Sequence, residues 1–381
     1  MSNAYLQDRD NMTIARSKVL LKELPDYVKQ FYDAKKGAKK ELTRYAYIRD
    51  IKEFLEYLSP IHHIAVKEFP FERLGDLTVQ DIDEYRNVLF KKYAPASVKR
   101  KLASLSTFYK YLVLAGFVKN NPAAVIDWPA EDKSKAIIYL DDEQTTKLLE
   151  GIYANNKQVF YLSEDGVLIE NQRKKDKSAI KGTAKNKYVD YIVGPIDDST
   201  RKRRERVRLR NYCIVLLFLK TGMRVSELVS IDLDDINFKE ALINITGKGG
   251  KTRPVSFDED AAISALKDYI STERKSLTAK KTGEKALFVS MRGSRMTVRQ
   301  VENIIKEMVQ TYLADDETLR KRDFSPHKLR STCATRLLKE TGNVAGVADY
   351  LGHDSPVVTT KHYAAIVKEA NAKEMGSKKL F

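Results

Sequence analysis

A set of side chains in the second half of the sequence has the types that bind a phosphate group or attack it. In chain order they are Arg224, Lys248, His327, Arg330, His353 and Tyr363. Cationic and imidazole groups donate hydrogen bonds to anionic oxygens, and a phenol can be a nucleophile when cations and a base assist it. Cleaving a phosphodiester without a metal ion requires such a nucleophile, such donors and an acid for the leaving oxygen. The residue types therefore suit phosphodiester chemistry if the fold brings them together.

Arg224 follows a predicted helix end. The apolar pattern from Arg206 to Leu219 indicates a helix that stops at Gly222, a natural C-cap. An arginine at such a turn can present its planar guanidinium to a phosphate. Taken alone, however, an arginine here more commonly forms a salt bridge one turn away, in this case with Glu227.

Two further turns carry other members of the set. The Ser-Pro pair at 325–326 predicts a helix start, which places His327 and Arg330 on one face of the first turns. The amides and partial positive charge of a helix N-terminus favour an anion there. His353 and Tyr363 flank the next predicted turn, although a tyrosine on a terminal helix is ordinarily a packing residue.

Lys248 lies in a glycine-rich stretch between two short β-like runs. The runs are Ala241 to Thr246 and Thr252 to Phe257, and residues 247–251 join them. This pattern predicts a β-hairpin with Lys248 near its tip.

The overall composition limits the kinds of protein that this sequence can encode. Lysine and arginine exceed aspartate and glutamate by 68 − 52 = +16, which predicts a surface that attracts a polyanion such as nucleic acid. Cys213 and Cys333 lie in apolar helical patterns without metal-binding spacing, so we expect buried free thiols. We find no signal peptide, and the longest apolar run, Tyr212 to Leu219, is too short to span a bilayer. These features predict a cytoplasmic protein without membrane association.

The chain is long enough for two or three domains. Residues 1–128 are predicted to form a helical domain, followed by a linker at 129–138 and a second domain at 139–381. Asp141 and Gln144 resemble a capping box at the start of the second domain. Within it, residues 152–200 interrupt the helical pattern and are interpreted as an insertion, with a possible short hairpin from Tyr161 to Ile169.

The order of the candidate residues resembles that of the tyrosine recombinase, or phage integrase, family. The motifs GMRVSELV at 222–229, LDDI at 233–236, TGKGGKTRPV at 246–255 and PHKLR at 326–330 look like its Xer branch. The first domain is similar to the family's helical core-binding domain through TRYAYIRDIKEF at 43–54 and SVKRKLASLSTFYKYL at 97–112. The resemblance covers the chain from about Thr43 onward.

The resemblance implies a mainly α fold. An N-terminal all-helical, SAM-like core-binding domain would join a C-terminal mixed α+β catalytic domain with a small antiparallel sheet, the two forming a C-shaped DNA clamp. It also implies a site-specific recombinase that acts on double-stranded DNA through a 3′-phosphotyrosyl intermediate, without cofactor or metal. The tail at 364–381 would dock on a neighbouring protomer of a homotetramer that holds two DNA duplexes.

The resemblance also implies roles for individual residues. Arg224 and Arg330 would clamp the scissile phosphate, His327 and His353 would donate hydrogen bonds to it, Lys248 would protonate the leaving 5′ oxygen, and Tyr363 would attack. His327 is also a candidate base for the phenol. The expected DNA contacts elsewhere are Thr43, Arg44, Lys99, Arg100, Lys101, Lys251, Arg253 and Lys328.

Two positions depart from the family pattern. Ser331 stands where the family usually has a histidine, and the segment from His353 to Tyr363 is one residue longer than is usual in the Xer branch. Tyr363 is still the predicted nucleophile, because it follows two threonines and no tyrosine lies downstream. The alternatives are an inactive DNA-binding regulator of the same fold and a type IB topoisomerase. Within the family, resolution of chromosome dimers and movement of a mobile element both remain open.

Overall fold

The computed structural model describes residues 4–125, 138–162, 168–169, 190–247, 250, 252–320 and 324–352. The chain forms two compact units, Met1–Lys135 and Ala136–Phe381. Helices predominate in both, and the strands of the described ranges all lie in the second unit. None of the described helices combines the length and the apolar character that crossing a bilayer requires.

The first unit is helical throughout its described part. Its helices are α1 (Ala4–Leu21), α2 (Asp26–Ala34), α3 (Glu41–His62), α4 (Phe71–Gly75), α5 (Val79–Lys92) and α6 (Pro95–Leu114). Two 3₁₀ turns, Val66–Glu68 and Pro122–Ala124, connect them or follow them. Local signals set the boundaries: Thr78 and Asp81 form a capping box at the start of α5, and Pro95 occupies the first turn of α6.

Two apolar stripes form the core of the first unit. The stripe of α3 buries Ile51, Phe54, Leu55 and Leu58, and the stripe of α6 buries Val98, Leu102, Leu105, Tyr109 and Leu112. Aromatic rings join neighbouring helices, as where Phe54 of α3 lies 4.9 Å from Tyr85 of α5, measured between centroids. Burial of these rings dominates the packing energy, since a fully buried large apolar side chain contributes about 1.5–3 kcal/mol.

The second unit combines helices with two small sheets. Its helices are α7 (Asp142–Ala154), α8 (Asp198–Glu205), α9 (Arg208–Thr221), α10 (Val225–Ser230), α11 (Asp260–Tyr269), α12 (Lys275–Thr278), α13 (Val298–Tyr312), α14 (Glu317–Arg320), α15 (Pro326–Thr341) and α16 (Val344–Leu351). A π-helical turn, Ile270–Arg274, links α11 to α12, and a 3₁₀ turn, Leu233–Asp235, precedes the second sheet. The predicted capping box at Asp141 and Gln144 is present.

Helix α9 is the buried centre of the second unit, and α7, α11 and α15 pack around it. Cys213 on α9 and Cys333 on α15 are free and buried, as predicted. Burial raises the pKa of both thiols, that of Cys333 to about 12. Both side chains therefore stay protonated and act as apolar packing groups.

Both sheets are three-stranded and antiparallel, whereas the sequence predicted one small sheet. The first has the order β2-β1-β3, from β1 (Lys157–Leu162), β2 (Leu168–Ile169) and β3 (Asp190–Pro195). It includes the predicted pairing of Tyr161 with Ile169, but β1 pairs over its whole length with β3, which the sequence did not suggest. The lysine-rich stretch 173–187 lies outside the described residues, and the insertion at 152–200 stays a prediction.

The second sheet carries the predicted hairpin. It has the order β4-β5-β6, from β4 (Ile236–Asn237), β5 (Leu242–Thr246) and β6 (Thr252–Ser256). Thr246 pairs with Thr252 at the end of the β5–β6 ladder that adjoins the glycine-rich stretch 247–251. Lys248 and Lys251 themselves lie outside the described residues.

Candidate active site

The end of α9 is brought into close contact with two other helices. Gly222 caps α9 in the left-handed conformation, with φ of +56°. A Cβ atom at this position would lie 2.4 Å from Cδ2 of Leu351 on α16 and 3.2 Å from Sγ of Cys333 on α15. Only glycine therefore permits both the turn and the approach of the three helices. The residue two positions on, Arg224, consequently lies where α9, α15 and α16 meet.

Arg224 is the N-cap residue of α10, and a buried carboxylate holds it in place. Its backbone N–H donates to Oε2 of Glu227 at 2.8 Å, and its Nη1 donates to Oε1 at 2.9 Å. Its Nη2 donates to the carbonyl oxygen of Gly352 at 2.8 Å. The salt bridge expected as the ordinary alternative is thus present, yet 37% of the Arg224 side chain stays exposed. The bridge orients the guanidinium and leaves part of it accessible to a ligand.

The side chain of Arg330, on α15, extends to the point where α9, α15 and α16 meet. Ser325 is the N-cap residue and Pro326 lies in the first turn, as the sequence predicted. His327 is exposed in that first turn, whereas Arg330 is buried. Nη1 of Arg330 donates to the carbonyl oxygen of Gly222 at 2.6 Å, and Nη2 donates to that of Leu351 at 2.8 Å.

A third guanidinium completes this cluster. Nη1 and Nη2 of Arg253, on β6, donate to Oε1 and Oε2 of Glu227 at 3.3 and 3.1 Å, and Nη2 also donates to the carbonyl oxygen of Leu351 at 3.2 Å. Three arginines and one glutamate give a local charge of 3 − 1 = +2. Such a concentration of oriented positive charge suits an anionic ligand.

Glu227 is the one carboxylate among these contacts, and only 3% of its side chain is exposed. Burial by itself would raise its pKa, but hydrogen bonds from Arg253 and from the backbone and side chain of Arg224 outweigh burial and lower the pKa below its ordinary value. Glu227 is therefore ionised at neutral pH. The sequence offered a signal for this pairing in the three-residue spacing from Arg224, but none for the contact with Arg253.

The described residues bring part of the predicted catalytic set together. Arg224 and Arg330 bind the adjacent carbonyl groups of Gly352 and Leu351, and His327 lies on the same helix as Arg330. Lys248, His353 and Tyr363 lie outside the described residues. Gly352, the last described residue of the chain, is the direct neighbour of His353 in the sequence.

Tyr350 is the tyrosine nearest in sequence to the cluster, and its hydroxyl group is engaged elsewhere. It donates to the carbonyl oxygen of Lys220 at 3.2 Å, with that of Ser256 at 3.5 Å. Burial raises the pKa of Tyr350 to about 12. The Tyr350 hydroxyl is thus engaged in packing contacts, and Tyr363 stays the predicted nucleophile.

Two of the residues expected to contact DNA are buried inside the first unit and pair with acidic residues there. Arg44 is buried: its Nε and Nη2 donate to the carbonyl oxygen of Tyr32 at 3.0 and 2.9 Å, and its Nη1 pairs with Glu41 at 2.5 Å. Lys101 is also buried and pairs with Asp50 and Glu53. These contacts satisfy both cations internally, because a buried charge without a partner would be costly. We therefore do not retain Arg44 and Lys101 as DNA contacts.

The other expected DNA contacts differ in exposure. Arg100 pairs with the buried Asp50 but keeps 44% of its side chain exposed. Thr43, Lys99 and Lys328 are partly exposed. Arg253 is only 20% exposed and turned towards Glu227.

Within the described ranges, no group of three histidine, cysteine or acidic side chains is placed to hold a metal ion.

Comparison with known proteins identifies the family. A profile of the phage integrase family matches residues 198–370, and one of the phage integrase N-terminal SAM-like domain matches residues 28–115. Tyrosine recombinase XerC of Caldanaerobacter subterraneus subsp. tengcongensis is 30% identical over 359 residues, which cover 90% of this chain and 82% of the relative. The chain belongs to the phage integrase family. Tyrosine recombinase XerS of Streptococcus mutans serotype c is 29% identical over 366 residues, covering 89% of this chain and 92% of the relative.

Solved structures of the family share the fold. The XerH site-specific recombinase bound to palindromic difH substrate, in a post-cleavage complex, is 19% identical with a TM-score of 0.60, covering 89% of this chain and 81% of that one. The Tn1549 transposon integrase in complex with circular intermediate DNA is 18% identical with a TM-score of 0.59, covering 91% and 98%. The predictions of the family, the fold class and a tyrosine recombinase enzyme are confirmed.

Proposed function

We propose that this recombinase cuts and rejoins double-stranded DNA at Tyr363, with Arg224 and Arg330 as the ligands of the scissile phosphate. The observation that carries the proposal is the meeting of the two guanidinium groups at the adjacent carbonyls of Leu351 and Gly352. The chain continues from this point directly into His353 and, ten residues later, Tyr363.

The reaction we propose exchanges one phosphodiester for another. The Tyr363 oxygen attacks the phosphorus, the bond to the 5′ oxygen breaks, and a 3′-phosphotyrosyl bond forms. His327 accepts the phenolic proton, and Lys248 donates a proton to the leaving 5′ oxygen. The 5′ hydroxyl of the partner strand then attacks the phosphotyrosyl bond and releases the tyrosine. The bond energy is conserved throughout, so no nucleotide cofactor is required, and the arginines with Lys248 and His353 provide the electrostatic stabilisation.

Three finer features belong to the same proposal. The recombinase binds double-stranded DNA recombination sites as a tetramer on two duplexes, and it acts in the cytoplasm. The net charge of +16 supports a polyanionic ligand. The XerH and Tn1549 integrase structures were both determined with DNA. Domain boundaries at 1–128 and 139–381, with a linker between them, are part of the proposal.

The test is covalent trapping. The full-length protein is incubated with nicked candidate DNA in EDTA, and the products are separated on a denaturing gel. We expect a protein–DNA adduct whose label maps to the peptide containing Tyr363. DNA binding without any adduct would instead support an inactive regulator, and relaxation of supercoiled plasmid without dependence on a site would support a type IB topoisomerase.

The basic residues of α6 are expected to separate into two roles. Lys99→Ala should weaken DNA binding and lower the slope of log affinity against log salt by about 1, because one phosphate contact is lost. Lys101→Ala should leave that slope unchanged and lower the free energy of unfolding by about 1–3 kcal/mol, because the buried Asp50 loses one of its two cationic partners and keeps only Arg100 and Ser104. Salt titrations and urea unfolding of both variants check this. A reduced slope for Lys101→Ala would restore that residue as a DNA contact.

The tail is expected to act in assembly. Ile366, Val367, Ala370 and Met375 form an apolar stripe at helical spacing in the sequence, suited to docking on a neighbouring protomer. Deletion of residues 364–381 should weaken cooperative binding to a site with two half-sites while leaving binding to one half-site unchanged. Gel-shift titrations on both DNAs measure this. Normal assembly and recombination by the truncated protein would contradict it.

A further inference from the structure

Arg253 joins two parts of the candidate active site that come from different regions of the chain. It is the second residue of β6, just after the glycine-rich stretch 247–251. Its guanidinium donates to both carboxylate oxygens of Glu227 and to the carbonyl oxygen of Leu351, the last residue of α16. Arg253 therefore ties the hairpin to the helix end that leads into His353.

Gly352 packs against the guanidinium group of Arg253. A Cβ atom at Gly352 would lie 2.9 Å from Nη1, 3.0 Å from Cζ and 3.3 Å from Nε of Arg253. Any side chain at this position would displace the arginine or the turn. The glycine also adopts φ of +68°, which other residues rarely do. The backbone next to His353 is thus shaped to lie on Arg253.

The positive charge of Arg253 offsets the negative charge that Glu227 places beside Arg224. If Glu227 faced Arg224 alone, the two opposite charges would cancel, and a phosphate would compete with the carboxylate for the guanidinium. Glu227 instead shares its two oxygens between Arg224 and Arg253. The second arginine balances the carboxylate and leaves the charge of Arg224 for the ligand.

We propose that Arg253 is a positioning residue for strand cleavage: it neutralises Glu227 and holds the end of α16 beside it, so that Arg224 stays oriented and available to the scissile phosphate. This replaces the expectation from the sequence that Arg253 contacts DNA. The inference rests on the proposed role of Arg224 as a phosphate ligand.

The first test compares Arg253→Ala with Arg208→Ala in the full-length protein. Arg208 is a matched control, because it also binds one carboxylate and one backbone carbonyl, is similarly exposed, and lies at the opposite end of α9 from Gly222. At saturating protein, Arg253→Ala should form the covalent adduct on nicked DNA about 10–100-fold more slowly, because a misplacement of about 1 Å in an active site can cost about 10²-fold in rate. Its DNA affinity should stay within about 3-fold and its salt slope unchanged. Arg208→Ala should cleave at the wild-type rate.

The second test uses Glu227→Gln to separate positioning from general stabilisation. In the Arg253→Ala background it should increase the rate of adduct formation, because it removes the charge that would otherwise hold Arg224. If Arg253→Ala does not fold, as urea unfolding would show, Arg253→Lys takes its place. Lysine keeps a positive charge beside Glu227 but cannot make both carboxylate contacts and the contact with the Leu351 carbonyl, so adduct formation should be slower than in the wild type. A rate equal to wild type would overturn the proposal.

The outcomes distinguish this inference from the function on which it rests. A wild-type protein that forms no adduct overturns the proposed function, and the role of Arg253 with it. When the wild type is active, two results for Arg253→Ala overturn the role of Arg253 alone, besides the result already given for Arg253→Lys. In one, Arg253→Ala cleaves normally once bound while its salt slope falls by about 1, the mark of a direct phosphate contact. In the other, Glu227→Gln makes the Arg253→Ala protein slower still.

Discussion

Replacing Tyr363 with phenylalanine should abolish covalent attachment of the protein to DNA while leaving DNA binding intact. The substitution removes only the phenolic oxygen and keeps the ring. Without that oxygen no phosphotyrosyl bond can form, so the rate of adduct formation should fall by at least about 10⁴-fold, the order lost when a covalent enzyme loses its nucleophile. Denaturing gels of the reaction on nicked DNA measure the adduct, and gel shifts measure binding.

Tyr350→Phe is the matched control for this substitution. The Tyr350 hydroxyl donates to the carbonyl oxygen of Lys220, so its removal should cost about 1 kcal/mol of stability and leave the chemistry unchanged. Adduct formation should therefore persist in Tyr350→Phe and vanish in Tyr363→Phe. The reverse result would assign the nucleophile to Tyr350 and would mean that the end of α16 rearranges on DNA.

Arg330→Lys should slow adduct formation by about 10²–10³-fold at saturating protein, even though the charge is retained. Arg330 spans two backbone carbonyls, those of Gly222 and Leu351, with two nitrogens of one planar group. The single ammonium of lysine cannot reproduce that geometry, so the charge would no longer be held where the phosphate is expected. Single-turnover rates at saturating protein isolate this effect from DNA affinity.

Stability must be measured alongside the rate for this residue. Each buried carbonyl left without a donor costs about 1–3 kcal/mol, so Arg330→Lys and Arg330→Ala should both lower the free energy of unfolding. Arg336→Ala provides the control on the same helix, since Arg336 is 38% exposed and pairs with Asp142 at 3.2 Å, and it should change the rate little. A wild-type rate per folded molecule in Arg330→Lys would remove Arg330 from the proposed phosphate site.

Much of the fold could be predicted because its signals are local. The stop of α9 at Gly222, the start of α15 at Pro326 and the hairpin of β5 and β6 each depend on residues a few positions apart. The apolar residues buried along α3 and α6 are likewise spaced by three and four, as helical periodicity requires. The pairing of β1 with β3 was missed because its strands are separated by many residues, and periodicity carries no information about such a partner.

The sequence alone determined the family, the candidate catalytic residues and a few element boundaries, such as those at Asp141, Gly222 and Pro326, because residue types, motif order and short-range patterns carry that information. Only the tertiary structure decided which cations remain available to a ligand. Arg44 and Lys101 are basic residues like Arg224, yet packing buries them against Glu41 and Asp50, with 7% of each side chain exposed. Arg253 and Arg224 both pair with Glu227, but packing leaves only 20% of the Arg253 side chain exposed, against 37% for Arg224. A charge removed from water must find a partner, and whether a residue is buried or exposed depends on contacts between segments far apart in the chain.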